Sequence, residues 1–172
     1  MGKDHRDAGA EGAVVDGSGR RIGIVCARWN DAITSRLLRG AQDRLRERGV
    51  KPKHVEVVWV PGAFELPLAA KVMAASGRHD AVIALGCVIR GDTPHFDYVA
   101  GAAAEGIMRA QLDTGVPVMF GVLTTENLRQ ALVRSVVDGD VRGDNKGVEA
   151  ADAALTMAAV LDAVGPGGAR RR

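Results

Sequence analysis

Cysteine and aromatic residues are scarce in this sequence, and neither sign of charge dominates it. Each shortage removes a class of protein. The only cysteines are Cys26 and Cys87, both within apolar runs, where a thiol packs as a small hydrophobe and is neither half of a disulfide nor a metal ligand. That usage makes the cytoplasm the expected location. The four histidines, His5, His54, His79 and His95, are scattered without ligand spacing, so no metal is expected. With 23 basic against 21 acidic side chains the net charge is +2, and no basic block is present to track a phosphate backbone. Nucleic acid is therefore not an expected partner. No apolar run approaches the roughly 20 residues needed to cross a bilayer. The polar start MGKDHRDAGAEG has no hydrophobic segment of the signal-peptide kind, and Arg6 stands where a myristoylation motif would need Ser or Thr. A membrane is not expected either. Neither G-x-G-x-x-G nor G-x-S-x-G occurs.

What the chain does have is 172 residues, 47% of them apolar, enough for one domain with a real core. Aliphatic and alanine packing must dominate, so an aromatic placed in a loop stands out. The Gly-, Asp- and Ala-rich start and the closing GPGGARRR predict frayed ends, residues 1–13 and 165–172, around one domain over 14–164. Between those ends, short β-branched runs alternate with longer segments of helical period. That is the pattern of a parallel sheet covered by helices on both faces.

RIGIVCA, HVEVVWV, DAVIALG and VPVMFGVL read as the four strands. Ile33, Leu37, Leu38, Ala41 and Leu45 share one face of a helix that Gly49 ends. An alanine-rich helix runs to about Ser76 with Pro67 in its first turn. Asp92 or Thr93 is expected to cap a third helix holding Pro94 and His95 in its first turn. Thr124 or Thr125 is expected to cap a fourth, with Leu128, Ala131, Leu132 and Val136 inward. A last helix starts near Asp144 and aligns Val148, Ala151, Leu155 and Ala158.

In open parallel sheets ligands bind beyond the carboxyl ends of the strands. Those loops hold Trp29 and Asn30, then Pro61, Gly62, Ala63 and Glu65, then Val88 to His95, then Phe120 and the threonine pair. Trp29 is either a stacking platform for a planar heterocycle or a rim aromatic, and Asn30 either a ligand contact or a helix cap. Glu65 either accepts from polyol hydroxyls or is a first-turn carboxylate favoured by the helix dipole. In RGDTPH a glycine turn meets a helix start, presenting N–H groups and a hydroxyl to an anion such as phosphate. The positive helix end disfavours charge on His95, which suits a general base; a solvent-facing histidine is the competing reading. Arg134 and Lys146 either hold a phosphate after folding or across a subunit boundary, or are solvated charges. By themselves these residues describe a pocket for a planar group, a polyol and a phosphate, without naming a reaction.

ARWND, VPGAFELP, ALGCVIRGDTPHFDYVA, GVLTTENLRQAL and NKGVEAA occur in that order between about Val14 and Val164. Through them the sequence resembles the 6,7-dimethyl-8-ribityllumazine synthase family. The resemblance implies a three-layer αβα sandwich on a central four-stranded parallel sheet of flavodoxin-like topology. It also implies condensation of 5-amino-6-(D-ribitylamino)uracil with 3,4-dihydroxy-2-butanone 4-phosphate, without a cofactor, releasing phosphate and water in the penultimate step of riboflavin biosynthesis. By the same resemblance Trp29 stacks on the pyrimidine, while Asn30, Ala63, Phe64 and Glu65 surround the pyrimidine and ribityl chain. Val88 and Ile89 give main-chain contacts to the pyrimidine edge. Gly91, Asp92 and Thr93 match the phosphate loop, His95 the proton-transfer residue, and Arg134 the phosphate-binding arginine of a neighbouring subunit. Phe120 and Lys146 match residues lining the pocket from that neighbour. The segment SVVDGDVRGDNKG is longer than the compact turn of capsid-forming relatives. It implies a pentamer or a pair of pentamers and not a sixty-subunit shell, and it alters the distance between Arg134 and Lys146.

Overall fold

A computed structural model of the protein describes residues 15–137 and 144–165. Residues 1–13, most of 165–172 and the middle of the extended segment lie outside the described residues. Four strands, β1 (Ile22–Ala27), β2 (Val55–Val60), β3 (Ala81–Ile89) and β4 (Val118–Thr125), form one sheet of order β2-β1-β3-β4. Every pairing is parallel: Ile22 lies opposite Val55 and Ala81, and Val82 opposite Val118. This is the expected doubly wound three-layer sandwich.

The central strands show why it forms. Along β1, Ile22, Ile24 and Cys26 point to one core, Val25 and Ala27 to the other; along β3, Ala81, Ile83, Leu85 and Cys87 alternate with Val82 and Ala84. Successive side chains of a strand face opposite ways, so a continuous apolar run requires a cover on each face. Helices α1 (Asp31–Glu47) and α5 (Lys146–Val164) cover the first, contributing Ile33, Leu37, Leu45, Ala151 and Leu155. Helices α2 (Leu66–Ala75) and α3 (His95–Thr114) cover the second with Leu66, Ala70, Ala103 and Ile107. Pro67 sits in the first turn of α2, where its missing N–H costs nothing.

Two caps differ from expectation. The residue preceding α3 is Pro94, and neither Asp92 nor Thr93 caps that helix; the Asp97 amide donates to the Pro94 carbonyl at 3.0 Å instead. The threonine pair ends β4, and Asn127 caps the short helix α4 (Leu128–Leu132), its Oδ1 accepting from the Gln130 amide at 3.0 Å. Val136 lies beyond α4, where its amide donates to the Asp144 carbonyl at 3.1 Å. Helix propensity does not distinguish these ends, because a cap is decided by which side-chain oxygen reaches a free amide.

α1 and α5 pack closely. Arg48 Nε donates to Asp152 Oδ1 at 2.9 Å, and Arg44 lies 3.3 Å from the other carboxylate oxygen. At the near end Gly147 lies against α1, and a Cβ there would collide with the Leu37 carbonyl. We expect Gly147→Ala to lower stability by about 1–3 kcal/mol, the range for overpacking a tight contact, read as the midpoint of urea unfolding. An unchanged midpoint would mean that the two helices re-space freely.

Candidate active site

The loops after β1, β2 and β3 meet at one sheet edge and enclose a cleft of about 630 Å³. Its wall includes Trp29, Asn30, Ala63, Phe64, Glu65, Val88, Ile89 and His95. Thus eight of the residues selected by sequence gather around one space. Backbone ties hold the wall together: the Arg28 amide donates to the Val60 carbonyl at 2.9 Å and the Trp29 amide to the Pro61 carbonyl at 3.1 Å. Asn30 adopts a left-handed conformation, φ 60°, which asparagine tolerates better than most residues. Its side chain makes no cap bond; Nδ2 donates to the Cys87 carbonyl at 2.8 Å, linking the loop after β1 to the end of β3. Glu65 fulfils the structural reading of the sequence, since Oε2 accepts from the Gly62 amide at 2.9 Å and so closes a turn at the start of α2. It nevertheless lines the cleft.

Trp29 and Phe64 remain 72% and 60% exposed. Among only six aromatic residues in the chain, these two and Tyr98 stand on one cleft with their faces open, an arrangement suited to a planar ligand. Tyr98 and Val99 were not anticipated. The signal for them was available, because they stand three and four residues after His95 and so share its helix face. Gly91, Asp92 and Thr93 are exposed, the latter two in bends, between two wall residues, Ile89 and His95, without themselves lining the cleft.

A second cleft, of about 400 Å³, opens along β4 and contains Phe120, Arg134 and Lys146 together with Glu149. Phe120, expected beyond the strand end, lies within β4 opposite Ala84. Arg134 and Lys146 are brought together in spite of the long segment between them: the Lys146 amide donates to the Arg134 carbonyl at 3.0 Å, and Ser135 bridges Asn145. Asn145 clasps this base. Its Nδ2 donates to the Arg36 and Val136 carbonyls, and its Oδ1 accepts from the Gly147 and Val148 amides. Burial works against the Lys146 ammonium, but hydrogen bonds to Glu149 and Asp144 outweigh it and hold the proton more tightly than usual. Arg134 Nη1 donates to the Gln130 carbonyl at 2.9 Å.

Between the clefts, Arg90 pairs with Asp97 and Glu126. The hydrogen bond from Arg90 holds the Asp97 carboxyl below the usual carboxylate range. Among the described residues no cluster of His, Cys, Asp and Glu fits a metal ion, and no helix is long and apolar enough to cross a membrane.

The parallel order, the tied strand-end loops and the open aromatic cleft define a doubly wound α/β protein with a candidate ligand cleft at the carboxyl edge of its sheet. A comparison with protein families supplies the rest: the model for 6,7-dimethyl-8-ribityllumazine synthase matches residues 19–162. The chain belongs to that enzyme family, which serves riboflavin biosynthesis.

Both thiols are buried, and burial pushes Cys26 up to about 12 and Cys87 to about 11, from 9.0. A thiol that stays protonated in the fold stabilises it below pH 9, and that contribution is lost as pH climbs through the folded values. The thiolate is the reactive form. At pH 8 iodoacetamide should therefore label the native protein more slowly than the urea-unfolded chain by roughly two orders of magnitude or more. Equal rates would show that neither thiol is shielded.

Proposed function

We propose that the protein is a 6,7-dimethyl-8-ribityllumazine synthase. It condenses 5-amino-6-(D-ribitylamino)uracil with 3,4-dihydroxy-2-butanone 4-phosphate in the cytoplasm, the penultimate step of riboflavin biosynthesis. The observation that carries this reading is the convergence of an open aromatic platform, the Glu65 carboxylate and a histidine on one cleft of a chain in this family.

In this reading Trp29 stacks on the pyrimidine, while Asn30, Ala63, Phe64 and Glu65 surround its ring and ribityl chain. Val88 and Ile89 meet the pyrimidine edge with their main chain. The amine attacks the ketone and loses water to give an imine. His95 takes the proton from the hydroxyl-bearing carbon beside the imine as phosphate leaves from the terminal carbon beyond it; the enol so formed gains a proton at that terminal carbon to become a methyl ketone, and the ribityl-bearing nitrogen closes the ring on this new carbonyl with loss of another water. Neither a cofactor nor a metal is required, since the carbonyl and the phosphate supply the electrophile and the leaving group. Holding two substrates in register supplies most of the acceleration. Gly91, Asp92 and Thr93 receive the phosphate, and Arg134 neutralises it.

The separation of the clefts supports a site shared between subunits. Trp29 and His95 line one, whereas Phe120, Arg134 and Lys146 line the other. A neighbouring copy brings the second set to the first, making the working unit an oligomer. The long segment between Arg134 and Lys146 favours a pentamer or a pair of pentamers; a sixty-subunit particle in sizing or electron microscopy would refute that assembly.

The catalytic test follows lumazine fluorescence and phosphate release from both substrates together. Wild type should produce both, and His95→Ala should slow them about a hundred- to ten-thousand-fold, the range for a general base. Absence of both signals with wild type sinks the synthase reading, and unchanged turnover in His95→Ala removes that histidine from the proton transfer.

A further inference from the structure

Arg90 was given no role by the sequence, yet its side chain reaches Asp97, Glu126 and the Phe96 ring together. It follows Ile89, the last residue of β3, and its amide donates to the Thr125 carbonyl at 2.8 Å. Its Nη1 and Nη2 fork onto the two Asp97 oxygens at 3.2 and 2.9 Å, while Nε donates to Glu126 at 3.1 Å. Its guanidinium carbon also lies 4.1 Å from the centre of the Phe96 ring. Phe96 and Asp97 belong to the first turn of α3, beside His95; Glu126 precedes α4, after which comes Arg134.

We propose that Arg90 is a positioning residue, which closes the loop 91–94 and fixes His95 against the end of β4 in its own subunit. The role of that loop rests on the synthase reading; the clamp itself does not. An isolated exposed ion pair adds little, but a planar fork that is also stacked on a ring is pre-organised, and a lysine cannot reproduce it. Each nitrogen of the guanidinium makes a hydrogen bond within the protein, which orients the fork on Asp97. A displaced loop should therefore affect turnover, since geometry at the reacting groups governs the rate.

Two measurements test this. In hydrogen exchange followed by mass spectrometry, Arg90→Gln should speed exchange across residues 90–99 about tenfold, as expected when a local opening becomes easier, with residues 81–85 unchanged. No difference in that peptide overturns the clamp whether or not the protein makes lumazine. In turnover, Arg90→Gln and Asp97→Asn should each lower kcat about tenfold, and the double variant should fall no further than the worse single, because both remove one interaction. Arg90→Lys should not restore the rate. Multiplicative losses, rescue by lysine, or a rise only in KM for the phosphorylated ketone with Asp97→Asn unaffected would make Arg90 a phosphate ligand and not a clamp. A wild type without turnover would sink the synthase reading, while the exchange result still decides the clamp.

Discussion

Burial of β1 and β3 on both faces is the constraint from which the remaining structure follows. Both strands carry aliphatic side chains to each side, so water must be excluded above and below the sheet, and parallel pairing obliges every connection to cross over it. Crossovers deliver the chain to the same edge after each strand. The cleft is therefore a product of sheet packing, and its residues come from loops far apart in sequence.

An edge of loops becomes a site only when the loops are held still. Here short polar contacts do that: Asn30 reaches the Cys87 carbonyl, Glu65 closes on the Gly62 amide, and Asn145 clasps the chain before and after the long segment. Each is a side chain that ties an irregular segment to the backbone of an element or a turn beside it, where free polar groups need partners. The same residues thus have structural duties, and Asn30 and Glu65 also face the cleft. Asn30 is not the helix cap that the sequence offered, whereas Glu65 does close a turn at the start of α2.

Much of the architecture was legible because hydrophobic period is a local property. The four strands, the helix face through Ile33, Leu37 and Leu45, and the place of Pro67 all follow from spacing. The helix caps were less legible. Asn127 prevails over Thr124 and Thr125 because β4 continues through both threonines in register with Val88 and Ile89, a pairing that no local pattern displays. Phe120 was counted with the loop after β4 although the run VPVMFGVL already contains it.

For the site, the order of motifs determined the family and selected the wall of the first cleft, since these residues lie in short contiguous stretches such as VPGAFELP and GCVIRGDTPH. Distances across the fold were beyond it. That Arg134 and Lys146 are neighbours was decided by the Asn145 clasp, and that Phe120 joins them in a cleft apart from His95 was decided by strand order. The links from Arg90 to the residues around it are likewise a product of folding. Sequence by itself determined which chemical groups are available and which local elements carry them, because periodicity and turn chemistry act over a few residues. Tertiary structure alone decided which groups meet, because that depends on packing two helical layers against a sheet whose neighbouring strands are distant in the chain.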